Sequence, residues 1–263
     1  MKVINLASGS KGNATLVSSP KNKILVDMGL SYKELCNRLS LIGVKSSDIK
    51  SVFVTHEHID HIKGIPMLLK SCPYTYLYVH KPLVNVIKQK FPDLDSSRIV
   101  PFEDVVSFED ITIKAFKVSH DSFDCVGYQF SEGKNKMAIA TDLGYFTPEI
   151  SKILSECSLC IVEANHDIPM LLNNKKYSVQ LKARILSGKG HLSNNQSAEL
   201  IGQLAYKGVK QVILAHLSEE NNTPELAYNT IKEYLKTIDI IEGQDIFIDV
   251  AYQNKISHLF VIE

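Results

Sequence analysis

The chain has 263 residues, 44% of them hydrophobic, which suits one domain with a sizeable core. Lysine plus arginine (29) match aspartate plus glutamate (29), which argues against a strongly basic protein that grips duplex nucleic acid by charge alone. No apolar run reaches the length of a membrane-spanning helix, and five cysteines are an odd count without a secreted disulfide pattern, so a cytoplasmic protein with no membrane partner is expected.

Strand-like runs open the chain at Val3–Ala7, Ala14–Ser18 and Lys23–Asp27, followed by an amphipathic helix near Tyr32–Leu41 with Ser31 as its N-cap. Ser51–Thr55 is β-branched and aromatic, reads as a buried strand, and runs into His56-Glu-His-Ile-Asp-His61. Alternating Ile111–Val118 ends at Ser119-His120-Asp121, and Lys136–Ala140 ends at Thr141-Asp142. A helix near Pro148–Cys157 precedes the strand Ser158–Glu163, and a helix near Asn195–Tyr206 precedes Lys210–Ala215, which ends at His216. A helix near Pro224–Thr237 and strands near Ile246–Ala251 and Ser257–Ile262 close the chain.

Within six residues, His56, His58, Asp60 and His61 offer four side chains of the kinds that zinc, manganese and iron take as ligands. A strand running into a loop can aim alternate side chains the same way, so His56 and His58 can share one ion while Asp60 and His61 turn toward a neighbouring position. The helical zinc-protease pattern His-Glu-x-x-His fails, because Asp60 stands where its second His belongs. Two adjoining metals follow, an arrangement that clamps the attacking and leaving oxygens of a hydrolysis. His120, Asp142 and His216, each just beyond a strand, are the candidates to complete the set. Singly, each has an ordinary reading as a cap or turn residue.

His-x-His-x-Asp-His followed by distant His, Asp and His resembles the metallo-β-lactamase superfamily over nearly the whole chain. The resemblance implies an α+β fold, a four-layer αββα sandwich spanning 1–263 as one domain. The mixture of predicted strands and helices points the same way. It also implies two divalent ions, zinc or manganese. His56, His58 and His120 would hold one, Asp60, His61 and His216 the other, with Asp142 bridging and Asp27 bracing the ligand loop by hydrogen bonds.

The segment from His120 to Gly127-Tyr128 resembles the nuclease and phosphodiesterase branches of that superfamily. Ala7–Thr15, Glu163–Asp167, Gly190–Asn194 and Ala215–Asn222 are similar to the YycJ/WalJ-type branch of bacterial proteins. That likeness implies a 5′-to-3′ exonuclease acting on DNA, and on RNA as a variant, in which a hydroxide shared by the metals attacks phosphate. Asp60 would orient the nucleophile, His191 would protonate the leaving oxygen and Glu163 would orient His191, with His166 as a phosphate contact or alternative donor. Ser10, Lys11 and Asn13 of the Gly/Ser turn, with Ser193 and Asn194, are the expected substrate contacts. Residues 165–190 are expected to form a lid or clamp over the substrate. A small-molecule hydrolase of the same fold, acting on a cyclic phosphodiester, thioester or lactone, is the alternative. A metal-binding protein without catalysis is the third reading.

Overall fold

The computed structural model describes residues 1–262. The first half of the chain supplies β1 (Lys2–Ala7), β2 (Ala14–Ser18), β3 (Lys23–Val26), β4 (Ser51–Val54), β5 (Tyr76–His80) and β6 (Ile99–Phe102). The second half supplies β7 (Val105–Ser107), β8 (Thr112–Lys117), β9 (Val126–Glu132), β10 (Asn135–Ala140), β11 (Leu159–Glu163), β12 (Gln211–Ala215) and β13 (Phe247–Val250). Finally β14 (Phe260–Val261) returns to the first half. Two seven-stranded sheets result, ordered β14-β1-β2-β3-β4-β5-β6 and β13-β12-β11-β10-β9-β8-β7.

Each sheet begins as an antiparallel meander and continues as parallel strands, from β3 to β6 and from β10 to β13. The parallel connections need crossovers, and helices provide them: Tyr32–Ser40, Ile65–Ser71 and Val84–Lys90 on one sheet, Pro148–Ser155, Asn194–Tyr206 and Pro224–Thr237 on the other. Side chains alternate between two apolar environments, as the pleat requires. Ile24, Val26, Phe53, Met137, Ile139, Ile161 and Ile213 fill the space between the sheets. Leu25, Val52 and Val54 meet helices on one outer face, and Ala138, Ala140, Val162 and Leu214 meet helices on the other. The layers are therefore αββα, as expected.

Differences from the sequence reading sit at the ends and in the short elements. The expected strand at Ser257–Ile262 contracts to β14, because Ser257 spends its backbone N–H and hydroxyl on Asn5 before pairing with β1 begins. β5, β6 and β7 were not expected; each runs only three to five residues. β9 escaped too, because Gly127 and the buried polar Gln129 blur its apolar pattern.

Parallel strands carry their chemistry at their C-terminal ends. β3, β4, β10, β11 and β12 all end on one rim, where Tyr128 of the second sheet donates its hydroxyl to the Val54 carbonyl of the first, and Val126 N donates to Thr55 O at 3.1 Å. Three non-glycine residues just beyond these strands adopt left-handed backbone: Asp27 (φ 61°), Asp142 (φ 59°) and His216 (φ 56°). Such conformations are uncommon outside glycine, and they gather where structure is over-determined around a site.

Candidate metal centre

His56 leaves β4 through Thr55, His58 caps a single helical turn (Ile59–Ile62), and Asp60 and His61 lie within that turn. The turn is stitched to the preceding loops by backbone bonds: Met28 N to His61 O (2.7 Å), Asn13 N to Asp60 O (2.8 Å) and Gly64 N to Met28 O (2.9 Å). Gly29 makes this approach possible, because a Cβ there would stand 1.6 Å from the Asp60 carbonyl oxygen. Gly29→Ala must therefore push the ligand turn outward, at a cost of about 3 kcal/mol or more. Thermal unfolding and metal content should fall together in this variant; a wild-type melting point would refute the close-packed reading.

Four histidines have their Nδ1 atoms committed to protein partners. His56 donates to Thr55 Oγ1 (3.1 Å), His61 to Asp27 Oδ2 (2.7 Å), His120 to Gly190 O (3.1 Å) and His216 to Glu163 Oε1 (2.8 Å). Each bond places a proton on Nδ1 and makes Nε2 the ring nitrogen turned toward the cluster. His58 differs, its Nδ1 lying 3.2 Å from His120 Nε2. Asp27 also accepts from Thr55 N (2.9 Å), so one buried carboxylate braces both the start of the ligand loop and His61.

The Asp142 carboxylate stands at the centre of this ring. Oδ2 is 3.4 Å from His61 Nε2, and Oδ1 is 3.6 Å from His120 Nε2 and 4.0 Å from His56 Nε2. Asp60 Oδ2 lies 3.5 Å from Nε2 of both His61 and His216. Ligand-type atoms of His56, His58 and His120, of His56, His61 and Asp142, and of Asp60, His61 and His216 each fall close enough together to hold one ion.

Electrostatics fit a cation. His56 Nε2, Asp142 Oδ2 and His216 Nε2 are buried and have no hydrogen-bond partner, a rarity in protein interiors. Burial, reinforced by the neighbouring His61 charge, drives the His56 pKa well below its usual value. At His216 burial acts downward but Asp142 and hydrogen bonds to Asp60 and Glu163 outweigh it, pushing the pKa up to about 10. Burial likewise opposes ionisation of Asp60, yet His61 and His216 hold its carboxyl far below the ordinary range. Ionised carboxylates, an uncharged His56 and orphaned polar atoms within one cluster, where His61 and His216 gather positive charge, form a donor set that suits a divalent metal.

The other expected site residues divide. Ser10 and His191 line the cavity over the cluster. Glu163 is fully buried and accepts from His191 Nδ1 and His216 Nδ1 (both 2.8 Å), Leu143 N (2.7 Å) and Leu192 N (3.1 Å), so it positions neighbours rather than touching a substrate. Asn13 is buried and ties Gly9 to His61, bonding Gly9 N at 2.9 Å and lying 3.1 Å from His61 Nε2; it is a brace for the turn.

Four expectations need correction. Lys11 points to Glu219 on the surface, outside the cavity. Ser193 is the N-cap of helix Asn194–Tyr206, its hydroxyl and backbone taken up by Gln196 in a capping box. Asn194 is fully buried in a reciprocal amide pair with Asn222 (3.0 and 2.9 Å). His166 is 1% exposed, and burial lowers its pKa to about 4, so at neutral pH its ring is uncharged and unsuited to the general-acid role.

The sequence reading missed Thr55, Asn165, Asp121 and Ser218. Thr55 bonds Asp27 and His56, and Asn165 donates to His216 O (2.8 Å) while lining the cavity with Asp121 and Ser218. Asp121 adjoins a ligand, and Asn165 and Ser218 lie inside segments that carry the resemblance, but nothing in their residue types announces a role.

Comparison with known proteins agrees with this geometry. Residues 22–217 match the family model described as the beta-lactamase superfamily domain. The chain is 36% identical over 243 residues to exodeoxyribonuclease WalJ of Streptococcus pneumoniae, covering 91% of this chain and 90% of that protein. It is 34% identical over 233 residues to exodeoxyribonuclease YycJ of Bacillus anthracis, covering 88% of each. Its backbone superposes on the metallo-β-lactamase fold protein YhfI of Bacillus subtilis with a TM-score of 0.70 at 14% identity, covering 98% of this chain and 100% of that one. With αββα layers, a His/Asp cluster on the shared rim and a family match across most of its length, the chain belongs to the beta-lactamase superfamily, in its metal-binding form.

Proposed function

We propose that the protein is a divalent-metal-dependent phosphodiesterase that removes nucleotides from DNA ends, working 5′ to 3′. The observation that carries hydrolysis is the buried ring of unpartnered His and Asp donors opening onto a cavity of about 250 Å³. Length-wide likeness to two proteins named exodeoxyribonucleases supports DNA as the substrate. His56, His58 and His120 are the residues to hold one ion, Asp60, His61 and His216 the other, with Asp142 reaching both; zinc and manganese both accept this set. When bound, such ions activate water and polarise phosphoryl oxygens.

The chain's own groups supply orientation and proton handling. Asp60, held ionised and braced by Asn13 (3.4 Å), can accept a hydrogen bond from an attacking water and orient it. His191 faces the cavity with Nδ1 fixed on Glu163. Burial lowers its pKa, but the Glu163 charge and hydrogen bond raise it further, so it holds a proton for the leaving oxygen. The segment 165–190 places Tyr177, Leu181 and Arg184 along the cavity, which supports its reading as a clamp. Five unpaired cysteines support the cytoplasm as its compartment. Among the described residues no helix is long and apolar enough to cross a membrane.

The deciding experiment incubates metal-loaded protein with 5′- and 3′-labelled DNA and RNA, beside His191→Ala. Release of labelled mononucleotide from the 5′ end, slowed roughly 100-fold or more in His191→Ala, is expected. Turnover of small thioesters or cyclic phosphodiesters with no cleavage of any polynucleotide would overturn the reading. Chelation tests the donors separately: a ligand at 100 times its Kd stabilises by about 2.7 kcal/mol, so stripping metal should lower Tm by roughly 5–10 °C, reversibly. An unchanged melting point would count against a resident metal.

A further inference from the structure

Residues 168–189 contribute little to the core, and the short helix Val179–Ile185 has no buried residue. Both ends are nevertheless tied down. At one end Asn174 donates to Asn221 Oδ1 (2.7 Å) and Lys176 pairs with Glu220 (2.7 Å). At the other Ser119 Oγ donates to Gly188 O (2.7 Å), Arg184 pairs with Asp121, and Gly190 O holds His120. The segment is thus a strap slung across the rim that bears the metal cluster.

Its inner face is unexpected. Leu181 and Ile185 lie one turn apart on the same face of this helix, Tyr177 stands just before its Ser178 N-cap, and all three are half-buried. An apolar stripe at this period ordinarily packs on a core. This one lines the cavity that also contains Asp60, Asp142 and His216. One wall of a phosphate-hydrolysing site is therefore apolar and carries an aromatic ring, while the opposite chemistry, ligands for cations, lies beside it. A cavity of about 250 Å³ is below the usual range of about 300–1,000 Å³ for ligand pockets and suits one nucleotide rather than a passing strand.

We infer that the Tyr177–Leu181–Ile185 stripe is an end-stop that stacks the terminal base and sugar of a single strand, so that the chain cannot continue past the cluster and only the outermost phosphodiester reaches it. The inference rests on the nuclease reading and names what makes that nuclease end-specific. Arg184 beside the stripe, held by Asp121, is placed to meet a phosphate of the entering strand.

The test compares linear with covalently closed circular single-stranded DNA, using metal-loaded full-length protein. Wild type should degrade the linear strand to mononucleotides and leave the circle intact. Tyr177→Ala combined with Leu181→Ala removes stacking from an element without core contacts. It should raise KM for the linear strand roughly ten- to a hundredfold and release di- and trinucleotides. Replacing residues 175–186 by a Gly/Ser linker, with Gly188 and Gly190 kept, should permit nicking of the circle. Mononucleotide products and wild-type KM in the double variant, with the circle still intact in the linker variant, would overturn the end-stop. Cleavage of the circle by wild type would overturn it too. If wild type cut no DNA at all, the nuclease reading itself would fall, and the end-stop with it.

Discussion

Asp142→Asn should leave the protein folded and nearly abolish hydrolysis. Asn is the residue other than glycine that best tolerates the left-handed backbone found at Asp142, and it keeps the side chain's shape. What it removes is the negative charge set among Nε2 atoms of His56, His61 and His120. Loss of a residue that merely orients a metal ligand costs about 10–100-fold in affinity or activity. Loss of a central carboxylate that reaches both ligand groups should exceed that, so a fall of at least about 100-fold in kcat, with reduced metal per chain, is expected. Elemental analysis and a single-turnover assay on labelled DNA measure the two. Full activity with full metal content would remove Asp142 from the centre.

Glu163→Gln should be nearly as damaging, for a different reason. Every neighbour of this carboxylate is a donor: His191 Nδ1 and His216 Nδ1 on Oε1, Leu143 N and Leu192 N on Oε2. An ionised carboxylate only accepts, whereas an amide must turn an NH2 toward one of these pairs. Either two rings or two backbone N–H groups then lose their partner inside a fully buried site. Each buried orphan costs about 1–3 kcal/mol, so a loss of about 2–6 kcal/mol is expected in denaturant unfolding. Leu143 follows Asp142 and Leu192 follows His191, so the same change loosens three functional side chains at once. Burial alone would favour the protonated acid. The His191 and His216 charges reverse this and hold Glu163 well below the usual carboxylate range, so wild type keeps an acceptor-only group there. Glu163→Gln should accordingly lower kcat more than it alters KM. Wild-type stability and kcat would show that the four bonds are incidental.

Much of the site was legible because its chemistry is concentrated. The His56–His61 motif places four ligand side chains in six residues, and His120, Asp142 and His216 each follow a run that reads as a strand. Ends of strands are where a layered α/β architecture gathers its functional groups, so a list of such ends doubles as a list of candidates. Asp27 was legible through the family resemblance, although its left-handed backbone and its particular bond to His61 were not. The misjudged residues share a different property. Ser193 and Asn194 carry side chains suited equally to binding a phosphate and to ending a helix, and Lys11 and Glu219 lie far apart in sequence. Which partner each side chain meets is a long-range fact.

The sequence by itself determined the ligand types, their grouping on one short motif and three strand ends, and a mixture of strand and helix runs that argues for sheets covered by helices, while the two-sheet, four-layer arrangement was implied by the family resemblance. These follow from local periodicity and from the identity of side chains. Only the tertiary structure decided which nitrogen each histidine presents, because the choice depends on where Thr55 turns its hydroxyl beside His56 and on Asp27, Gly190 and Glu163 arriving from distant parts of the chain. It also decided that Tyr177, Leu181 and Ile185 face the cluster instead of a core. A four-residue spacing defines a face, but what that face meets depends on where the two ends of the strap are tied.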